Sequence, residues 1–455
     1  MRFRQTLIVA LFAMAAAAPS WSATYYVAAR DAVANNSTAD GSKTRPWPTV
    51  NLALTRVKAG DTILLMDGPH YGLKVDDLAF ATPVTIRSLN AKKARLSWIL
   101  LQGDTRNLVF QNLSVWPADP SNASTRKLIE TGYDATDIVF DGLDVRSGSD
   151  AASYPGWTKA QWEGRSFNGF YARGARTTIK NSTFTGIGPG VQTVGADSRI
   201  LNNTVAGFSN DGMRVFGNGS IVRGNKVTDC VRIDGNHPDA LQSWSVDGKP
   251  VDGLLIENNT FLEWSNAKIN PYRCQLQGVG FFDGFYDNLV IRNNVLSLTA
   301  YHGISVYGGR NVSIVNNTVV NAKGQPAGYP WIAVFSHKNG TPSRNVVTAN
   351  NLAMKFSSTA ATVNTTTANN SVIIYPAKVL TDVAKFNYRP KADSGFIDTG
   401  NAVVAPKGDI LNNLRPSGKG PDRGAYEVGS TSAAATTVTT TTATTQTAGK
   451  WVSAP

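Results

Sequence analysis

Beyond its first eighteen residues the chain has no apolar run long enough to cross a membrane, which excludes a helical membrane protein downstream of that point. The basic residues form no runs and no nucleic-acid-binding motif is present, so the net charge of +12 does not point to DNA or RNA. Two cysteines, Cys230 and Cys274, allow one disulfide at most. Only four histidines exist, so a histidine inside a dense polar phrase carries information.

What the chain has in quantity is a repeated phrase, a short apolar strand followed by an asparagine turn. The strands read FYARG (170–174), VQTVG (191–195), MRVFG (213–217), LQSWS (241–245), VGFFD (279–283), ISVYG (304–308) and IAVFS (332–336). Asparagine phrases follow at Asn181, Asn202, Asn258, Asn293, Asn316 and Asn350, with GNKV at Gly224, and earlier copies lie at Ile99–Gly103 and Leu128–Gly132. The tightest spacings, from Asn181 to Asn202 to Gly224, are 21 and 22 residues, the period of a solenoid. Within each strand apolar residues alternate with period two, so Phe170, Val191, Met213, Leu241, Val279, Ile304 and Ile332 form one inward column. Asparagine tolerates the left-handed backbone of a sharp turn, and stacked amides can hydrogen-bond along the axis.

A leucine-rich repeat would need a leucine-dense pattern, whereas these strands use Val, Ile, Phe and Thr. Over roughly residues 60–360 the phrases resemble the right-handed parallel β-helix proteins of the pectate lyase type, whose asparagine ladder sits at this corner. The resemblance implies an all-β solenoid of about ten coils with an N-terminal helical cap. That fold hosts lyases, hydrolases, epimerases, tailspikes and inert adhesins, so activity must come from the site.

Residues 1–22 carry Arg2 and Arg4, an apolar run and Ser20-Trp21-Ser22, which reads as a secretory signal peptide and predicts a secreted or periplasmic protein. Residues 23–427 are the expected β-helix domain, with a strand at Tyr25–Val27 and a short helix near Thr49–Val57 as its cap. Residues 428–455, largely Ser, Thr, Ala and Gly, read as a disordered tail. Cys230 and Cys274 precede successive strands of one column, so a disulfide is expected between neighbouring corner loops. The coil spacing of about 4.8 Å suits it. A monomer is expected.

Length variation concentrates before the strands, in residues 146–167, 229–239, 263–277 and 321–330. Insertions at one corner build a wall beside the outward face of these strands. That face carries Tyr171, Gln192, Arg214 and Gln242 in one column and Phe216, Trp244, Phe282, Tyr307 and Phe335 in the next. Flat rings and planar hydrogen bonders suit a sugar chain, although a buried aromatic stack would read the same way.

The densest polar phrase is Arg232-Ile-Asp234-Gly-Asn236-His237-Pro-Asp239-Ala-Leu-Gln242-Ser-Trp244. Asp211, Asp239, Gln277 and His302 share one column just before the strands. The Asp211–Asp239 pair has three readings: a general acid–base couple, a calcium site, or a polar cap on the turn. Alginate epimerases of this fold carry an Asp-Pro-His-Asp phrase, similar in content to Asn236-His237-Pro238-Asp239 but in another order. For a uronate substrate, Arg214, Arg232, Lys268 and Arg273 would bind carboxylate, and His237, His302, Tyr307, Lys268 or Arg273 would move protons. The leading expectation is a polysaccharide lyase acting on an acidic polymer by β-elimination, with no certain cofactor beyond calcium as an option. Alternatives are a glycoside hydrolase using Asp211, Asp234 and Asp239, an epimerase, and a non-catalytic carbohydrate-binding β-helix.

Overall fold

The computed structural model describes residues 22–32, 38–245, 247–324, 326, 328–358 and 362–429. The expected signal peptide, apart from Ser22, and the tail beyond residue 429 lie outside the described residues. Three parallel sheets of 15, 11 and 12 strands stack along one axis, each coil adding a strand to the sheets it crosses. The chain is therefore a parallel β-helix.

The 11-stranded sheet holds the strands read from the sequence and adds Leu73–Asp76 before them and Lys355–Ser358 after them. Its register runs Phe170↔Val191↔Met213↔Leu241↔Val279↔Ile304↔Ile332, the inward column expected from alternation. These side chains are buried and join one continuous core along the axis. The third sheet begins within the asparagine phrases, as in Thr183–Ile187 and Thr204–Phe208.

Two consecutive residues divide the work at the asparagine corner. The first adopts the left-handed backbone, with φ of 52° at Asn181, 55° at Asn202 and 58° at Asn258, and Gly224 (φ 70°) takes this position in its coil. The second points inward and bonds to the next coil. Asn203, Asn225, Asn259, Asn294 and Asn317 each donate Nδ2 to the Oδ1 of the following asparagine, at 2.9–3.1 Å. Each is buried with its amide hydrogen-bonded, which is the condition for a polar group in a core.

The predicted cap is present. Thr24–Val27 pairs with Thr62–Leu65, and a helix at Val50–Leu54 starts on Thr49, whose side chain accepts from the Leu52 N–H. At the other end the chain folds back as a strap along the outer asparagines. Asn258 donates to Asn412 Oδ1, Asn293 to Gly408 O, Asn316 to Asp422 O, Asn350 to Asn401 O and Asn369 to Thr399 O, so the strap touches five successive coils. Arg415 anchors it by a fully buried ion pair to Glu427 (2.9 Å) and a bond to Asn293 Oδ1.

Candidate functional site

The insertions form the expected wall, and it has a small core of its own. Ala151, Tyr154, Trp157, Trp162, Val231 and Ile233 pack together, with Trp264 and Tyr272 against them. Cys230 and Cys274 are bridged, with Cα atoms 5.4 Å apart. Asn270 donates to the carbonyls of Tyr154 and Trp157, and the Tyr154 hydroxyl bonds Asp229, so three separate insertions are tied together.

Between this wall and the 11-stranded sheet lies a cleft of about 660 Å³. Arg232, His237, Tyr272, Arg273, Gln277, Tyr301 and Tyr329 line it, and no carboxylate is among its lining residues. Arg273 is held by Glu263 (3.3 Å), itself buried, and Glu263 also accepts from the Thr299 N–H and hydroxyl. His237 is exposed on the rim. Lys268, expected here, does not line the cleft: its Nζ lies against Gly156, on the side of the wall facing the first insertion. Tyr301 and Tyr329 were not singled out from the sequence. Tyr301 directly precedes His302 in the chain, and Tyr329 lies near the end of the last insertion, 321–330.

Asp211, Arg214 and Asp239 form a second cluster, at the floor of the groove. Asp211 is buried and accepts from Arg214 Nε (2.6 Å) and from the Asp239 backbone N–H (2.9 Å). Arg214 also bonds Asn210 and lies 5.6 Å from the Trp244 ring, next to Gln242 in register. Burial first, and the Asp211 charge second, hold the Asp239 carboxyl well above the usual carboxylate range. Asp239 Oδ1 has no hydrogen-bond partner among the described residues. Asp211 meets the guanidinium of Arg214 where a calcium ion would need its oxygens, and no group of three or more His, Cys, Asp or Glu among the described residues could hold a metal. Asp234 is exposed and accepts from the Asn236 N–H, a local turn.

The aromatic row is interrupted. A bulge between Ser243 and Trp244 pairs Trp244 with Asp283 instead of Phe282. Phe216 and Trp244 stay together, with centroids 4.3 Å apart, while Phe282, Tyr307 and Phe335 form a second run at 5.6 and 5.1 Å. Phe282 folds back over Gly280, where any Cβ would lie 2.3 Å from its ring, and it contacts His302 at 4.8 Å. His302 and Tyr307 therefore sit in this aromatic run and not in the cleft lining. The His302 Nδ1 meets Ser305 Oγ (2.8 Å), which accepts from the Trp331 indole N–H (3.1 Å). Burial lowers the His302 pKa to about 4, so its ring is neutral at pH 7.

These two groups pull stability in opposite directions. Asp239, with its pKa raised, contributes fully below the unfolded value of about 3.9 and loses that contribution as pH rises through the folded value. His302, with its pKa depressed, contributes above 6.5 and loses that as pH falls toward 4. Asp239→Asn is expected to melt above the wild type at neutral pH, with the gain shrinking as pH approaches 4. A variant that melts lower at pH 7 would mean that an ionised Asp239 holds the fold together.

Residues 168–378 match the family model described as the right handed beta helix region. A pectate lyase has a TM-score of 0.48 at 16% identity, covering 90% of this chain and 97% of its own. A mannuronic-acid-specific family 6 polysaccharide lyase from human gut microbiota has 0.42 at 14%, covering 81% and 91%. The A-module of a mannuronan C-5 epimerase from Azotobacter vinelandii has 0.43 at 12%, covering 71% and 93%. A search of the curated proteins finds no match. At these identities the site residues must be argued from this chain alone.

Proposed function

We propose that this right-handed parallel β-helix is an exported polysaccharide lyase that cleaves an acidic, uronate-containing polymer by β-elimination. The observation that carries the reading is the cleft lining, which offers two arginines, a histidine and three tyrosines without a carboxylate. Such a lining attracts an anion and supplies proton-transfer groups. Arg232 and Arg273 receive the sugar carboxylate and draw charge from carbon 5. His237 takes the carbon-5 proton, and the electron pair left behind forms the bond to carbon 4. The carbon 4–oxygen bond breaks, and a cleft tyrosine, Tyr272 or Tyr301, protonates the leaving oxygen. Arg214 and Gln242, on the adjoining sheet, bind the neighbouring sugar units.

A two-carboxylate hydrolase fits less well. Asp211 and Asp239 are buried, Asp211 is committed to Arg214, and Asp234 caps its own turn. Product analysis decides between the chemistries. On incubation with uronate polymers, absorbance from a conjugated carbon–carbon double bond should rise as chains shorten, and added salt should weaken binding, since screening acts over about 8 Å at physiological strength. New reducing ends without that absorbance would mean hydrolysis. Changed uronate stereochemistry without shortening would mean epimerisation.

A further inference from the structure

The 11-stranded sheet extends well beyond the cleft. The outward column of the 11-stranded sheet runs from Gln242 through Arg214 and Gln192 to Tyr171 and Glu130. At that far end Lys127 Nζ (2.6 Å) and Arg173 Nη2 (2.7 Å) converge on the same oxygen, Oε1 of Glu130. One carboxylate thus faces two cations, and one positive charge is left over. Both cations also flank a ring: Lys127 Nζ lies 5.1 Å and the Arg173 guanidinium 5.4 Å from the Tyr171 centroid. Arg173 lies 5.3 Å from the Tyr133 ring as well, and Tyr133 is 64% exposed.

We infer that Tyr133, Tyr171, Arg173 and Lys127 form a distal subsite that holds an anionic sugar unit of the same polymer. The inference rests on the lyase reading for its substrate class. Tyr171 and Gln242 stand three coils apart, roughly 14 Å at a coil spacing of about 4.8 Å, so a chain lying along the axis reaches both. The surplus cation pairs with the sugar carboxylate, and the tyrosine rings offer flat faces to the pyranose. Glu130 holds the two cations together at one oxygen, beside the Tyr171 ring.

The test is the double variant Arg173→Gln/Tyr133→Ala, assayed on uronate oligosaccharides of graded length. In the wild type, KM should fall once chains become long enough to span the three coils. In the variant that fall should disappear, so KM on long chains rises about tenfold, the loss expected for one charge-assisted contact, with no comparable change in kcat. Identical length dependence in the two proteins would overturn the subsite. Calorimetric binding of a long uronate chain reads the same residues without turnover. Wild-type binding weakened about tenfold by the variant, with no cleavage by either protein, would keep the subsite and remove the lyase. Equal binding by both would overturn the subsite alone, and no binding by the wild type would overturn both.

Discussion

His237→Ala is expected to lower kcat/KM on a cleavable uronate polymer by on the order of 10²- to 10⁴-fold, the usual worth of a positioned general base. Melting should stay at the wild-type temperature, because the ring is exposed on the rim and no core contact depends on it. Arg273→Ala should behave differently. It also leaves the buried Glu263 without its cationic partner, so loss of activity should come with a lower melting temperature. If His237→Ala retained activity, the proton transfer would have to come from another cleft group, and Tyr272 and Tyr301 would be next in line. The pair of variants separates chemistry from scaffold, which a single substitution in this cleft cannot do.

Arg415→Ala should be the most damaging single change outside the core columns. The guanidinium and the Glu427 carboxylate are both fully buried, 2.9 Å apart, and Asp409 and Asp422 are buried with them. Removing the cation leaves uncompensated negative charge in a dry site, at a cost of roughly 3–5 kcal/mol. Burial already pushes the Asp422 carboxyl up to about 6, so part of the deficit can be relieved by protonation. The expected result is a large fall in the urea midpoint at pH 7.5 and a smaller one near pH 5. An equal fall at both values would show that packing, not charge, was lost.

Much of the scaffold was readable because it is periodic. Alternation placed Phe170, Val191, Met213 and their successors inward, and the structure pairs them in that register. The asparagine corner was readable as a left-handed turn and as an amide ladder, but the repeat alone did not show that Asn202 does the first and Asn203 the second. Where periodicity stops, legibility stops with it. Alternation says which face a side chain leaves from and not which way it leans, so the Trp244 bulge and the fold of Phe282 over Gly280 were hidden. Insertions have no period at all. Lys268 could be assigned to the wall but not to one of its sides, and the cleft tyrosines Tyr301 and Tyr329 carried no pattern. Asp239 was visible as chemistry, whereas its burial, which decides its protonation, depends on neighbours from other coils.

The returning strap changes how the molecule would respond to a pull. A bare solenoid held at its last coil unzips, because force falls on one rung at a time. Here, tension applied beyond residue 427 reaches Arg415 and the bonds to Asn258, Asn293, Asn316, Asn350 and Asn369 before it reaches the end coil. Those bonds are spread over five coils, and the strap residues that make them all lie, in chain order, between the pulled end and the end coil. The last coils are thereby spared peeling, and a protein tethered by its C-terminus could be dragged without being unwound from that end.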